Sequence, residues 1–168
     1  MKLKTTTVQM YTNVQERLEI FLLHYRDTTI HAAMSELHEG LDEWVRSAEV
    51  RQLRLIVNVD PDNPVVSAET HRCLQGLASN AAVEMRCKRD QVANVCVAPG
   101  QASLTWVYQI RFVLQDHEET KFDGTFQALA FESTDLEFVA DANTGFIQLW
   151  GDARPLDGAK LRVLEGPN

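Results

Sequence analysis

The sequence has no apolar run approaching the roughly 18 residues that cross a bilayer. Residues 1–7 are polar and carry no apolar signal core. Cysteine is scarce: Cys73, Cys87 and Cys96 form no C-x-x-C pair, and an odd count without a secretion signal fits reduced thiols. These absences place the chain in the cytoplasm and away from membranes. Basic residues are outnumbered, 16 Lys and Arg against 24 Asp and Glu, for a net charge of −8. They are also scattered, with only Lys2/Lys4 and Arg86/Lys88/Arg89 close to clustering. A phosphate-binding surface needs basic charge, so the expectation is no nucleic acid partner. There is no G-x-S-x-G elbow, no phosphate-binding P-loop and no G-x-G-x-x-G turn. His31 and His38 are seven apart with no H-E-x-x-H spacing, about 10 Å along a helix, too far for one metal without other ligands. They read as surface histidines, and no metal or cofactor is expected.

What is present is an ordinary globular composition, 45% hydrophobic and 24% charged, in a length suited to one domain. Val14, Leu18, Phe21, Leu22 and Tyr25 recur at helical spacing and predict a helix over 12–26, with Thr12 and Gln15 as a capping box. Ile30, Met34, Leu37, Leu41, Trp44 and Val45 extend the same periodicity over 28–48, with a weak point at Gly40. A strand at 53–59, a proline-fixed loop at 60–64 and a short helix over 67–79 capped by Ser67 follow. From residue 81 the period changes from 3.6 to 2, giving strands at 83–87, 92–98, 103–115 and 120–132. Residues 136–141 and 146–152 read as a last hairpin about the turn 142–145. Helices first and antiparallel strands last make an α+β domain over 1–156, with an extended C-terminal tail at 157–168.

This order resembles the NTF2-like superfamily, and within it the SnoaL-like group of polyketide cyclase and ketosteroid isomerase type. The resemblance rests on VANVCVAPGQASLTWVYQIRFV, GTFQALAFES and LEFVADANTGFIQLWGDARPL within 91–156. It implies N-terminal helices packed on a curved antiparallel sheet, a cone enclosing a pocket. It further implies metal-free acid/base chemistry, a cyclisation, isomerisation or dehydration, on a small hydrophobic molecule. A homodimer through the outer sheet face is implied as well.

A four-residue hairpin loop at 116–119 sets Tyr108 opposite Gln127, Trp106 opposite Leu129 and Phe112 opposite Asp123, so that these share one face. That face offers Trp106 and Phe112 as an apolar wall, with Gln127 beside them. Asp152 or Asp123 is the candidate base, and Tyr108 or Tyr25 the donor to an enolate oxygen. The competing reading is a ligand-binding or dimerising module without chemistry, or the small subunit of a larger enzyme, because fold alone does not decide function.

Overall fold

Two stretches of chain fold other than their periodicity suggests, and together they change the fold class. The computed structural model describes residues 8–114 and 120–164, with side chains described for all of these except 109–114 and 120–127. The first helix forms as expected: α1 runs Val14–His24 and buries Val14, Leu18, Phe21 and Leu22. Its cap is Asn13, one residue past Thr12, and the Asn13 side chain accepts from the Glu16 N–H at 3.1 Å.

The single helix expected over 28–48 is instead a strand, a loop and a short helix. β2 is Thr29–Met34, five of whose six residues are buried, and α2 is Leu41–Ser47. A strand covered on both faces is apolar throughout, so it loses the period-2 signal that marks a half-exposed strand. The 3.6-residue spacing read across residues 30–45 joins two separate elements by coincidence. Gly40 is the joint: its φ of 90° lies in the left-handed region, where a Cβ is penalised.

β3 (Gln52–Val57), α3 (Ala68–Ala78) and β5 (Val83–Cys87) then complete two β-α-β units. β2 pairs with β3 and β3 with β5, both parallel. The expected hairpin over 136–152 is a single helix, α4, Leu136–Asp152. Asp135 caps it, its carboxylate accepting from the Glu137 and Phe138 N–H groups at 3.1 Å each. Val139, Phe146 and Trp150, spaced by seven and four, are its buried face. The turn signal of Asn143, Thr144 and Gly145 was the source of the misreading. At Gly145 an added Cβ would meet only open space, so this glycine weakens the helix without breaking it.

The remaining strands are β1 (Val8–Tyr11), the short β4 (Val65–Val66), β6 (Val95–Ala98), β7 (Ala102–Leu114), β8 (Thr120–Ser133), β9 (Arg154–Pro155) and β10 (Arg162–Val163). Eight of the ten described strands form one sheet in the order β1-β8-β7-β6-β2-β3-β5-β9, and β10 lies parallel to β4 in a separate pair. Within 157–164, Arg162 lies opposite Val65 and Leu161 packs on the core.

The architecture is thus α/β with a mixed sheet, not an antiparallel cone with leading helices. One core lies between the sheet and α1–α3 and includes Ile30, Ala32, Leu55 and Trp106. A smaller core on the other face sets Ala33, Ile56, Val95 and Val97 against α4. Adjacent residues of β2 and β3 serve opposite cores, as strand alternation requires. Among the described residues no helix is long and apolar enough to cross a membrane.

The β7–β8 register also differs from the expected one. Tyr108 pairs with Ala128 and Trp106 with Ala130, while Gln127 pairs with Gln109. A bulge between Ile110 and Phe112 then sets Phe112 opposite Phe122. The one-residue slip takes Gln127 away from Tyr108 and separates Phe112 from Asp123 as partners.

Candidate active site at the strand carboxyl ends

In a sheet with parallel strands, side chains of different elements converge beyond the carboxyl ends of those strands, where the connection pattern reverses. Here the reversal lies at β2, which has parallel β3 on one side and antiparallel β6 on the other. Ser35 to Gly40 leave the end of β2, Asn58 follows β3, and Asn94 precedes β6. β7 is longer than β6, so Trp106 and Tyr108 extend past the β6 start; the Trp106 N–H still bonds the Asn94 carbonyl at 3.2 Å.

Polar side chains tie these loops together. Asn94 Oδ1 accepts from both the N–H and the hydroxyl of Ser35, at 2.9 and 3.0 Å. Asn58 Oδ1 accepts from the Gln91 N–H at 3.2 Å, and the buried Gln91 side chain donates to the Ala93 carbonyl at 2.6 Å. A cleft of about 300 Å³ opens here, lined by Ser35, Glu36, Asn58, Ser67 and Thr70 above a floor of aliphatic residues. Ser67 caps α3, so the positive end of that helix dipole adjoins the cleft.

Beside the cleft lies a pair of rings. His38 and Trp106 meet edge to face, 6.1 Å between centroids. The His38 Nε2 and Trp106 Nε1 atoms are both buried; among the described residues His38 Nε2 has no hydrogen-bond partner, while the Trp106 indole N–H faces the Tyr108 hydroxyl without a well-formed hydrogen bond. Buried polar atoms are rarely left unpaired, so the His38 nitrogen singles out this position. The His38 backbone is firmly held, its carbonyl accepting from Leu41 N–H at 3.1 Å and from Cys73 Sγ at 3.9 Å. Burial lowers the His38 pKa, opposed by the nearby Glu36 carboxylate, and so favours the neutral ring. Burial raises the Tyr108 pKa; the Trp106 indole lowers it and Glu36 raises it again. Glu36 thus lines the cleft and acts on both titratable rings beside it.

The sequence-derived candidates fall in three places. Trp106, 2% exposed, and Tyr108, 38% exposed, lie together beside His38. Tyr25, at the C-cap of α1, lines a separate hollow of about 240 Å³ with Arg17, His24 and Glu132. There Arg17 and Glu132 pair at 2.6 Å, and burial followed by Glu132 raises the Tyr25 pKa. Asp152 is exposed in the last turn of α4, on the opposite face of the sheet. The side chains of Phe112, Asp123 and Gln127 lie outside the described residues.

The histidines read as surface groups are placed otherwise: His31 is 8% exposed and His38 is half-buried. His38 was hidden by the misread helix. The run Ser35-Glu36-Leu37-His38-Glu39-Gly40, polar residues after a wholly apolar stretch, was the signal of a strand-to-helix loop.

No family model and no curated protein matches the chain. Its fold is similar to that of phospholipase D family nucleases. Nuc from Salmonella typhimurium, a phospholipase D family member, superposes with a TM-score of 0.64 at 11% identity, covering 90% of this chain and 99% of Nuc. NucT from Helicobacter pylori gives a TM-score of 0.62 at 9% identity over 90% of this chain and 100% of NucT. TrmBL2, an archaeal chromatin protein described with a novel mode of DNA binding, gives 0.59 at 11% identity over 89% of this chain and 55% of TrmBL2.

At these identities the likeness is one of fold. It overturns the NTF2-like, SnoaL-like assignment, and with it the cyclase or isomerase activity on a small hydrophobic molecule inside a barrel-like pocket. The last hairpin on which that resemblance leaned is α4. It also removes the exclusion of nucleic acid, since one protein of this fold binds DNA.

Proposed function

We propose that the chain is a phospholipase D-like module directed at a phosphodiester, with the cleft at the carboxyl ends of β2 and β3 as its site. The observation that carries this reading is the His38 ring, set edge-on against Trp106 beside that cleft, its buried Nε2 without a hydrogen-bond partner among the described residues. A neutral imidazole can attack phosphorus or take a proton from water. His38, held neutral by burial, is the group that would react. The Trp106 N–H, the Tyr108 hydroxyl and the α3 N-terminus would receive the phosphoryl oxygens. Three buried cysteine thiols, with that of Cys73 pushed up to about 11 by burial, suit a reducing cytoplasm.

The test is turnover of bis(p-nitrophenyl) phosphate and of single-stranded DNA by the wild type and by His38→Asn. Turnover lost in the variant supports the assignment. If the wild type neither binds nor cleaves either compound, the reading fails.

A second reading, binding without chemistry, is favoured by one observation. Among the described residues neither Lys nor Arg lines the cleft, so charge building up on a phosphoryl group would meet only neutral donors and a helix dipole there. Phosphodiester binding without turnover is its signature.

A further inference from the structure

On the face of the sheet that carries α4, basic side chains gather around Trp150. α4 packs on β6, β7 and β2. Its last turns bring Trp150 toward β3 and β5, where Arg54 and Arg86 lie. The Arg86 guanidinium stands 4.3 Å from the Trp150 ring centroid and that of Arg54 5.7 Å. Arg54 pairs with Glu84 and Ile56 with Arg86 across the parallel β3–β5 ladder, so the two arginines are diagonal neighbours on one face. His31 is beside Arg54 on β2, and burial, with a contribution from Arg54, lowers its pKa.

These charges are incompletely answered. Arg86 donates through Nη1 to the Trp150 carbonyl at 2.7 Å, yet its Nε is buried without a hydrogen bond. The Arg54 Nε is likewise buried and unbonded, and the Glu84 carboxylate comes no nearer to it than 4.0 Å. In a chain of net charge −8, two guanidinium groups on one ring with spare buried donors are a local reversal of sign.

We propose that Arg54 and Arg86 form a phosphate-binding site on the α4 face, distinct from the cleft beside His38. Guanidinium forks match the oxygens of carboxylate and phosphate. A phosphate has the oxygens to accept from two forks at once, whereas a carboxylate is filled by one. The Trp150 ring fixes both stems and so lowers the ordering cost of binding. The phosphate can belong to a free phosphorylated molecule or to a nucleic-acid strand, and the two sources differ in what accompanies it.

The test uses the full chain with two probes, inorganic pyrophosphate by calorimetry and a fluorescein-labelled dT20 strand by anisotropy. Arg54→Gln is the primary variant, because Arg54 makes no hydrogen bond through its Nε and its loss leaves α4 in place. Arg86→Gln is the second, with circular dichroism to confirm that α4 survives the loss of the bond to the Trp150 carbonyl. Each is expected to weaken pyrophosphate binding about tenfold or more, as removal of a charged donor does. Trp150 fluorescence should change on binding in the wild type and stay unchanged in Arg54→Gln.

Pyrophosphate binding with dT20 binding that weakens steeply with salt identifies a nucleic-acid strand as the source. Pyrophosphate binding without dT20 binding identifies a free phosphorylated molecule. No pyrophosphate binding by the wild type at millimolar concentration overturns the site. So does binding that Arg54→Gln leaves unchanged and His38→Asn abolishes, which would place the anion in the cleft instead.

Discussion

His31 on β2 reaches Asn143 on α4, its ring Nδ1 2.7 Å from the Asn143 side-chain oxygen. The same ring lies nearly flat on Phe146, 4.8 Å between centroids and 12° between planes. One buried histidine thus keys the helix to the sheet by a hydrogen bond at its edge and a stack on its face. With Asn143 Oδ1 as acceptor, Nδ1 carries the proton. Asn143→Ala should leave that N–H buried and unpaired, costing about 1–3 kcal/mol. Urea unfolding with an unchanged slope and a lower midpoint is the expected reading; an unchanged midpoint would mean that the contact holds nothing.

Stability should fall on acidification below neutral pH. Burial lowers the pKa of both His31 and His38 from the ordinary histidine value. The unfolded chain then binds more protons than the folded one as pH drops, so unfolding gains. The stabilisation is complete above about pH 6.5, the unperturbed value, and is lost as pH falls through it toward the folded pKa values. Unfolding midpoints between pH 8 and 5 should follow this slope, and His31→Asn with His38→Asn should flatten it. A wild-type profile flat over that range would contradict the burial of these rings.

Gly76 on α3 marks the closest approach of two helices. A Cβ there would lie 3.0 Å from the Asp42 Cβ on α2 and nearer still to its carboxylate. Gly76→Ala should therefore push α2 from α3 and destabilise the fold by about 1–3 kcal/mol, despite the better helix propensity of alanine. Thermal melts of the variant and of Gly76→Ala with Asp42→Gly separate the two effects, because the second change should restore most of the loss.

Part of the chain was legible because its elements carry their own signals. α1 and α3 bury one face at the helical period, and β3 and the β7–β8 pair are rich in β-branched and aromatic residues, so the pattern located them within a few residues. β2 and α4 were not legible, for opposite reasons. β2 is buried on both faces and shows no alternation. α4 carries Asn143, Thr144 and Gly145 in mid-helix, where local chemistry favours a turn and only the packing of Phe146 and Trp150 decides otherwise. Losing β2 hid the first β-α-β unit and with it the parallel sheet, so an antiparallel cone was the natural inference. Of the candidate site, Trp106 and Tyr108 were singled out by their share of a strand face. His38 was not, because a loop residue after a buried strand looks like a helix surface residue once the strand has been taken for a helix.

The account rests on the unpaired His38 ring nitrogen beside the cleft, and the indole proton of Trp106, in ring contact with His38, reports on it. The measurement is a ¹H–¹⁵N spectrum of the chain titrated with the dinucleotide TpT, a simple phosphodiester, with the Trp44, Trp106 and Trp150 indole signals assigned by substitution. The account predicts that the Trp106 signal shifts saturably and that His38→Asn weakens the response. A Trp106 signal that stays fixed while TpT is raised to millimolar concentration would contradict it.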